Sequence, residues 1–214
     1  MHTVRVALVA VLLTAAGSAA AQAAAAPAAP AVFTPNNYLH LRLGAVMPQS
    51  TDLDDLKIGT GFDGEVAIGR RFSPNLAGEL GLGYFSAEGS HMTVFDPGSG
   101  LTIDLKATFS GVPLTASIKG ILPLSPSVEL YGLVGLGLYM VTLEATGSAM
   151  GQTASTSEND SAVGVQFGAG LSFDVSSTAF LSVDLRYLIA KASFGGAEGN
   201  IDSLFLNAGV GFRF

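Results

Sequence analysis

Residues 204 to 214 read LFLNAGVGFRF, with Leu204, Leu206, Ala208, Val210, Phe212 and Phe214 on one parity and Asn207, Gly209, Gly211 and Arg213 on the other. Alternation at period two is the mark of a strand with one apolar face. The same alternation recurs along most of the chain, and a chain built from such strands satisfies its backbone in hydrocarbon only as a closed barrel, apolar faces outward.

Composition points the same way. Of 214 residues, 49% are hydrophobic and 13% charged, and mean hydropathy is +0.47; these are values for a chain that meets lipid. Yet the longest uncharged apolar stretch after the N-terminus, residues 130 to 143, is broken by Gly132, Gly135 and Gly137, and a spanning helix needs roughly 20 apolar residues. High hydropathy without spanning helices leaves strands to cross the membrane.

The N-terminus has a short basic segment (residues 1 to 5), an apolar core (6 to 16) and small residues (19 to 23), the layout of a cleavable secretory signal peptide with its cut near Ala21 or Ala23. The predicted organisation is therefore a signal peptide over 1–23, an Ala/Pro-rich leader over 24–35 and a barrel over 36–214. With no cysteine, disulfides and thiolate metal sites are excluded. A formal charge of −7 argues against a nucleic-acid surface, which needs a basic stripe.

Three segments share one design, two alternating strands joined by a tight Ser-containing turn: residues 61 to 85, 112 to 141 and 162 to 190, with turns starting at Ser73, Ser125 and Ser176. A repeat of this length marks repeated supersecondary units. A first strand at 38–46 and a final one at 204–214 bring the total to eight, an even number as bacterial barrels require. Tight turns at 73–75, 123–127 and 174–178 alternate with longer links at 47–59, 86–102, 144–160 and 192–201. Short turns face the periplasm and long loops the outside, which puts both termini in the periplasm.

Parity then sorts the faces. Phe62, Val66, Ile68, Leu80, Leu82, Val134, Leu136, Leu181 and Val183 face lipid. The lumen receives Arg42, Arg71, Lys119, Arg186 and Arg213 together with Asp63, Glu65, Glu79, Glu129 and Asp184. A one-residue slip would turn these charges outward, at about 2 to 4 kcal/mol for a basic residue near the bilayer centre. Opposed signs in comparable number predict a paired polar filling, because an unpaired charge in a narrow interior is costly. Eight strands leave room for side chains or one small ligand; the many lumen glycines either make way for Tyr131, Tyr139 and Arg186 or leave a narrow cavity.

One segment departs from the pattern. Ile103, Leu105, Ala107 and Phe109 are apolar on odd numbers, whereas from Val112 to Ile118 the apolar parity is even, with Ser110, Gly111 and Pro113 at the switch. A bulge or bend is the simplest reading. Phe72, Phe173, Phe212 and Phe214 at one end, and Tyr84, Phe85 and Phe194 at the other, fit interfacial girdles. Asp52, Asp54, Asp55, Glu158 and Asp160 fall in predicted loops, and His91 reads as a solvated loop histidine. His40 reads as a lumen hydrogen-bonding residue, since the sequence shows no serine and acid beside it to form a catalytic group.

With these features the chain resembles the small outer-membrane β-barrel family that includes the OmpX, OmpA-barrel and OmpW types. The resemblance spans about residues 36 to 214 and rests on GFDGEVAIGRRFSPNLAGELGLGY, on VPLTASIKGILPLSPSVELYGLVGLGLY, on VDLRY and on Phe214. It implies an all-β, eight-stranded antiparallel up-and-down transmembrane barrel in the outer membrane of a Gram-negative bacterium. It also implies that Phe214 and its strand address the barrel-assembly machinery. Unlike full-length OmpA proteins, no wall-binding domain is expected after the barrel, and with it no tethering role.

The expected function is non-enzymatic, structural or surface-interacting through four external loops. The expected surroundings are outer-membrane lipid and lipopolysaccharide, with a monomeric barrel, no cofactor and no nucleic acid. The alternative is a narrow channel or lateral-gate transporter for small or apolar solutes, as OmpW resemblance implies. A lipid-active enzyme is a third class, and a soluble calycin-like barrel with inward apolar faces is the structural alternative.

Overall fold

The computed structural model describes residues 36–50, 57–89, 92–96, 101–149, 152–194 and 197–214. The signal peptide and leader predicted over 1–35 lie outside them, as do Asp52, Asp54, Asp55 and His91 and the side chain of Phe194.

All named elements are strands: β1 (Asn36–Pro48), β2 (Gly61–Ser73), β3 (Leu76–Glu88), β4 (Met92–Asp96), β5 (Leu101–Ser125), β6 (Val128–Ala149), β7 (Gln152–Asp174), β8 (Ala179–Phe194), β9 (Ala197–Asn200) and β10 (Ser203–Arg213). Eight of them form an antiparallel ring in the order β10, β1, β2, β3, β5, β6, β7, β8, and β8 pairs back onto β10. The seam aligns Tyr38 with Arg213 and Leu41 with Val210. Closure leaves no strand edge in the hydrocarbon, where an unpaired amide has no water to turn to.

The tight turns fall where the serines predict, between Ser73 and Leu76, Ser125 and Val128, and Asp174 and Ala179. At the third, the Ser176 hydroxyl accepts from the amides of Thr178 and Ala179 at 3.3 and 3.0 Å, the local bonding that makes serine a turn residue. The outer face carries the predicted apolar set: Phe62, Val66, Ile68, Leu80, Leu82, Val134, Leu136, Leu181 and Val183 are all about half exposed.

The other end differs from the sequence reading. The links at 86–102 and 192–201 contain two further short strands, β4 on β5 and β9 on β8. The stretch expected as a loop at 144–160 is instead the top of a long hairpin, with β6 and β7 in register as far as Ala149 opposite Gln152. Glu158 and Asp160 therefore stand on a strand. Pairing of β7 to β8 starts only at Gly164 opposite Ala190. The upper part of β7 thus rises past its neighbour.

No bulge occurs at 110–113. The β5–β6 ladder holds one register from Asp104 opposite Ser148 to Pro123 opposite Glu129, and on the β3 side the pairing skips Pro113, which has no amide to donate, without slipping. From Phe109 to Lys119 the odd parity of β5 faces inward: Phe109, Gly111, Pro113, Thr115 and Lys119 are buried. What changes is the chemistry of the interior. Phe109 is 1% exposed and belongs to an internal apolar cluster with Val46, Ile58, Phe85, Tyr139, Val141, Leu188 and Phe205. Phe85, expected in the outer girdle, is 2% exposed and packs on Phe109 and Phe205 with ring centroids 5.3 and 6.1 Å apart. Its even-numbered neighbour Tyr84 faces out, as expected.

Candidate functional site

Among the described residues, the interior is where charge concentrates in the spanning part of the barrel. Seven of the ten charged residues assigned to the lumen meet in a single layer: Arg42, Lys119 and Arg186 against Asp63, Glu65, Glu79 and Asp184. Alternation brings them there, since each lies on the inward parity of its strand, and cross-strand register levels Arg42 with Glu65 and, next to it, Gly44 with Asp63.

Arg42 is the hub. Its guanidinium donates to Glu65 and, at 2.6 Å, to Glu79, and its Nε lies 3.3 Å from Asp184. Arg186 donates to the other Glu65 oxygen at 2.8 Å and lies 3.0 Å from Asp184 and 3.8 Å from Asp63. Lys119 donates to Glu79 at 2.6 Å and sits 4.4 Å from the centre of the Tyr131 ring, while the Tyr131 hydroxyl donates to Asp184 at 3.1 Å. Forked guanidinium pairing of this kind holds its partners by geometry as well as by charge.

The remaining three charged residues do not join this layer. Arg71 pairs with Glu129 at 2.8 Å and reaches the carbonyls of Ser73 and Pro74. Arg213 pairs with Asp174 at 2.6 Å and lies 4.8 Å over the Phe180 ring. These two pairs form a rim at the tight-turn end. Asp174 is a partner the sequence did not reveal, because it sits where the strand passes into a turn and parity no longer assigns a face. Phe214 lies beside this rim, exposed, with its backbone bonded both ways to Asn37.

Between rim and ionic layer is a cavity of about 40 Å³ lined by residues that include Tyr38, His40, Lys119, Tyr131 and Phe180, room for a few waters. The lumen glycines make way for side chains. A Cβ on Gly211 would lie 2.0 Å from the Phe180 ring, and one on Gly170 would lie 2.6 Å from that of Tyr131.

His40 has neighbours the sequence did not show. Its Nε2 is 2.8 Å from the Ser182 hydroxyl and its Nδ1 is 3.4 Å from Glu79, across a sequence separation of 142 for the serine. A serine, a histidine and an acid in line is the connectivity of an activated nucleophile, which corrects the expectation that no such group exists. Its surroundings oppose that chemistry. His40 is 0% and Ser182 2% exposed, the Glu79 oxygen is shared with Lys119, and a Cβ on Gly209 would already stand 2.7 Å from His40 Nε2 and 2.8 Å from Ser182 Oγ. An acyl group has no place to sit.

Along the axis the filling therefore runs from rim pairs to small cavity, ionic layer and apolar cluster. Above the apolar cluster, β4, β5, β6 and β7 continue as a projecting sheet. Among the described residues no group of His, Asp and Glu is arranged to hold a metal ion.

The sequence profile of the outer membrane protein beta-barrel domain matches residues 9–214. No curated protein matches the chain. Among solved structures, a major outer membrane protein from Thermus thermophilus aligns over 85% of this chain and 100% of its own, with 14% identity and a TM-score of 0.54. Neisserial surface protein A aligns over the same shares at 18% identity and a TM-score of 0.49. Ail, the attachment invasion locus protein of Yersinia pestis, does so at 18% identity and 0.45. At 14% identity the likeness to the Thermus protein is one of fold.

Proposed function

This chain belongs to the outer membrane protein beta-barrel domain family, and on that footing we propose that it is a non-enzymatic, non-conducting barrel whose work is done by the sheet it raises above the membrane. One observation carries the reading: two unlike layers, one of ion pairs and one of packed aromatic and aliphatic groups, fill the bore in series. An ion moving along the axis must break the first and then cross the second, and an apolar constriction excludes water by dewetting.

Purified protein in planar bilayers tests this directly. The wild type is expected to give no reproducible single-channel steps; steps that disappear on reduction of the bore would establish the transport reading instead. For the enzymatic class, expression of wild type, Ser182→Ala and His40→Ala should leave identical lipid A and phospholipid profiles. A change seen with the wild type and lost in either variant would mark a catalytic site.

Surface interaction is supported by the shape of the projecting part. From Gln152 to Asn159 every β7 residue is exposed, the strand is bonded to β6 on one side, and on the other it has no ladder partner among the described residues. Gln152, Thr153, Ser155, Thr156 and Ser157 give it a neutral, hydroxyl-rich edge without the proline or lysine that commonly blunts one. An exposed edge of that kind accepts an extended segment by strand addition. In the proposed orientation the tight turns and both ends of the barrel face the periplasm of a Gram-negative cell. Protease added to intact cells should then cut within 144–160 and spare the three turns.

A further inference from the structure

Arg70 and Arg71 are adjacent and face opposite sides of the wall. Arg71 is held inside by Glu129, whereas Arg70 points to the lipid, exposed, with no ion-pair partner among the described residues. It is the one charged side chain on the outward parity between the tight turns and the level of Tyr84, Met140 and Ile189, among the described residues. Its cross-strand neighbours, Asn37 and Gly78, offer no carboxylate. The carboxylate of Glu79, behind the sheet, is taken by Arg42 and Lys119.

Beside Arg70 the outer surface is dented. A groove of about 810 Å³ includes Arg70 in its lining and crosses the apolar faces of β2, β3, β5 and β6. It follows two adjacent cross-strand rows. One runs Arg70, Gly78, Ile118, Val134 and the other Ile68, Leu80, Ala116, Leu136. The small residues lie diagonally next to each other, Gly78 between Arg70 and Ile118 in the first row and Ala116 between Leu80 and Leu136 in the second. Phe72 leans over the lower end, its ring 3.1 Å from where a Cβ on Gly78 would be. The row climbs: Arg70 lies close to the Pro74–Asn75 turn, whereas Ile118 and Val134 are well removed along their strands from the Pro126–Ser127 turn.

We propose that this groove is a lipid site, taking an anionic glycerophospholipid with its phosphate on Arg70 and one acyl chain in the depression at Gly78 and Ala116. The charge argument selects the occupant. A basic residue facing lipid costs about 2 to 4 kcal/mol at the bilayer midplane and roughly 0 to 1 near the interface. At the turn end Arg70 reaches headgroup level, where a phosphate is the anion at hand and the guanidinium fork fits it. The groove supplies what a surface arginine alone lacks, a fixed apolar seat for the chain attached to that phosphate. Assigning the lipid to the periplasmic leaflet rests on the orientation proposed above. The binding itself does not.

Native mass spectrometry of the detergent-solubilised barrel tests the proposal, with an equimolar mixture of phosphatidylglycerol and phosphatidylcholine of the same chain length. The wild type should retain one phosphatidylglycerol in preference. Arg70→Gln should reduce that preference about fivefold, the worth of one basic residue against an anionic surface, and Ala116→Phe should lower retention of both lipids by filling the seat. Both changes lie on the lipid face, and unchanged mobility of the unboiled protein on a gel reports that the variants are folded. Wild-type preference kept by Arg70→Gln, or phosphatidylglycerol adding in an open-ended series with no one-lipid step, would overturn the site. Neither pore closure nor sidedness enters this assay, so a conducting or inverted barrel would leave its outcome unchanged.

Discussion

The two halves of the barrel interior are made by the same strands and the same parity, yet they are held by opposite physics. In the ionic layer each side chain is fixed by named partners: Glu79 alone bonds Arg42, Lys119 and His40. In the apolar cluster above it, Phe85, Phe109 and Phe205 are fixed only by filling space. The lesson is that pleat geometry decides which residues point inward but does not decide what chemistry fills the inside. An unbalanced charge and a missing ring should therefore fail in different ways.

The largest difference should come from Glu79→Leu, which leaves the buried Lys119 without its carboxylate and takes one of three carboxylates from Arg42. Breaking a buried pair costs about 3 to 5 kcal/mol, read as a lower urea midpoint in lipid vesicles. Phe109→Ala removes a ring without unbalancing charge, at about 3 kcal/mol with a cavity left behind. Its second readout separates the layers: the widened apolar section should admit water while conductance stays blocked by the ion pairs. A variant that conducts would mean the apolar cluster is the principal seal. Arg71→Ala at the rim acts on a pair whose side chains are 15% and 17% exposed, so water takes over part of the partner's role and the expected loss is about 1 kcal/mol. Thr146→Ala on the projecting hairpin should move the midpoint by less than about 0.5 kcal/mol; a larger shift would make that sheet part of what stabilises the barrel.

The same contrast explains what could be read from the chain. Wherever lipid lies on one side and charge on the other, as at Val134 and Leu136 against Tyr131 or at Val183 against Asp184 and Arg186, alternation gives face and register at once. Where the interior turns apolar, lipid and core look alike in sequence. Phe85 then reads as a girdle residue, and the parity change before Val112 reads as a bulge when the ladder runs straight through. Glu158 and Asp160 read as loop because polar residues on both faces are the pattern of a strand standing in water as well as of a loop. Parity sends Arg42, Glu65, Glu79, Asp184 and Arg186 inward, but it gives neither their common level, which register sets, nor which residue bonds which. Ser182 on His40 is set by how the ring closes, and a serine on an inward parity carries no mark of the partner opposite.

Tyr38 opposite Arg213, and Asn37 bonded to Phe214 at 3.1 and 2.9 Å, bring the two ends of the ring side by side. A circle of strands has no privileged first member. A short peptide joining 214 to 36, with new ends opened at Pro74 and Asn75, would keep every ladder in place. Refolded from urea into lipid vesicles, where no assembly machinery takes part, such a circular permutant should close into the same cylinder.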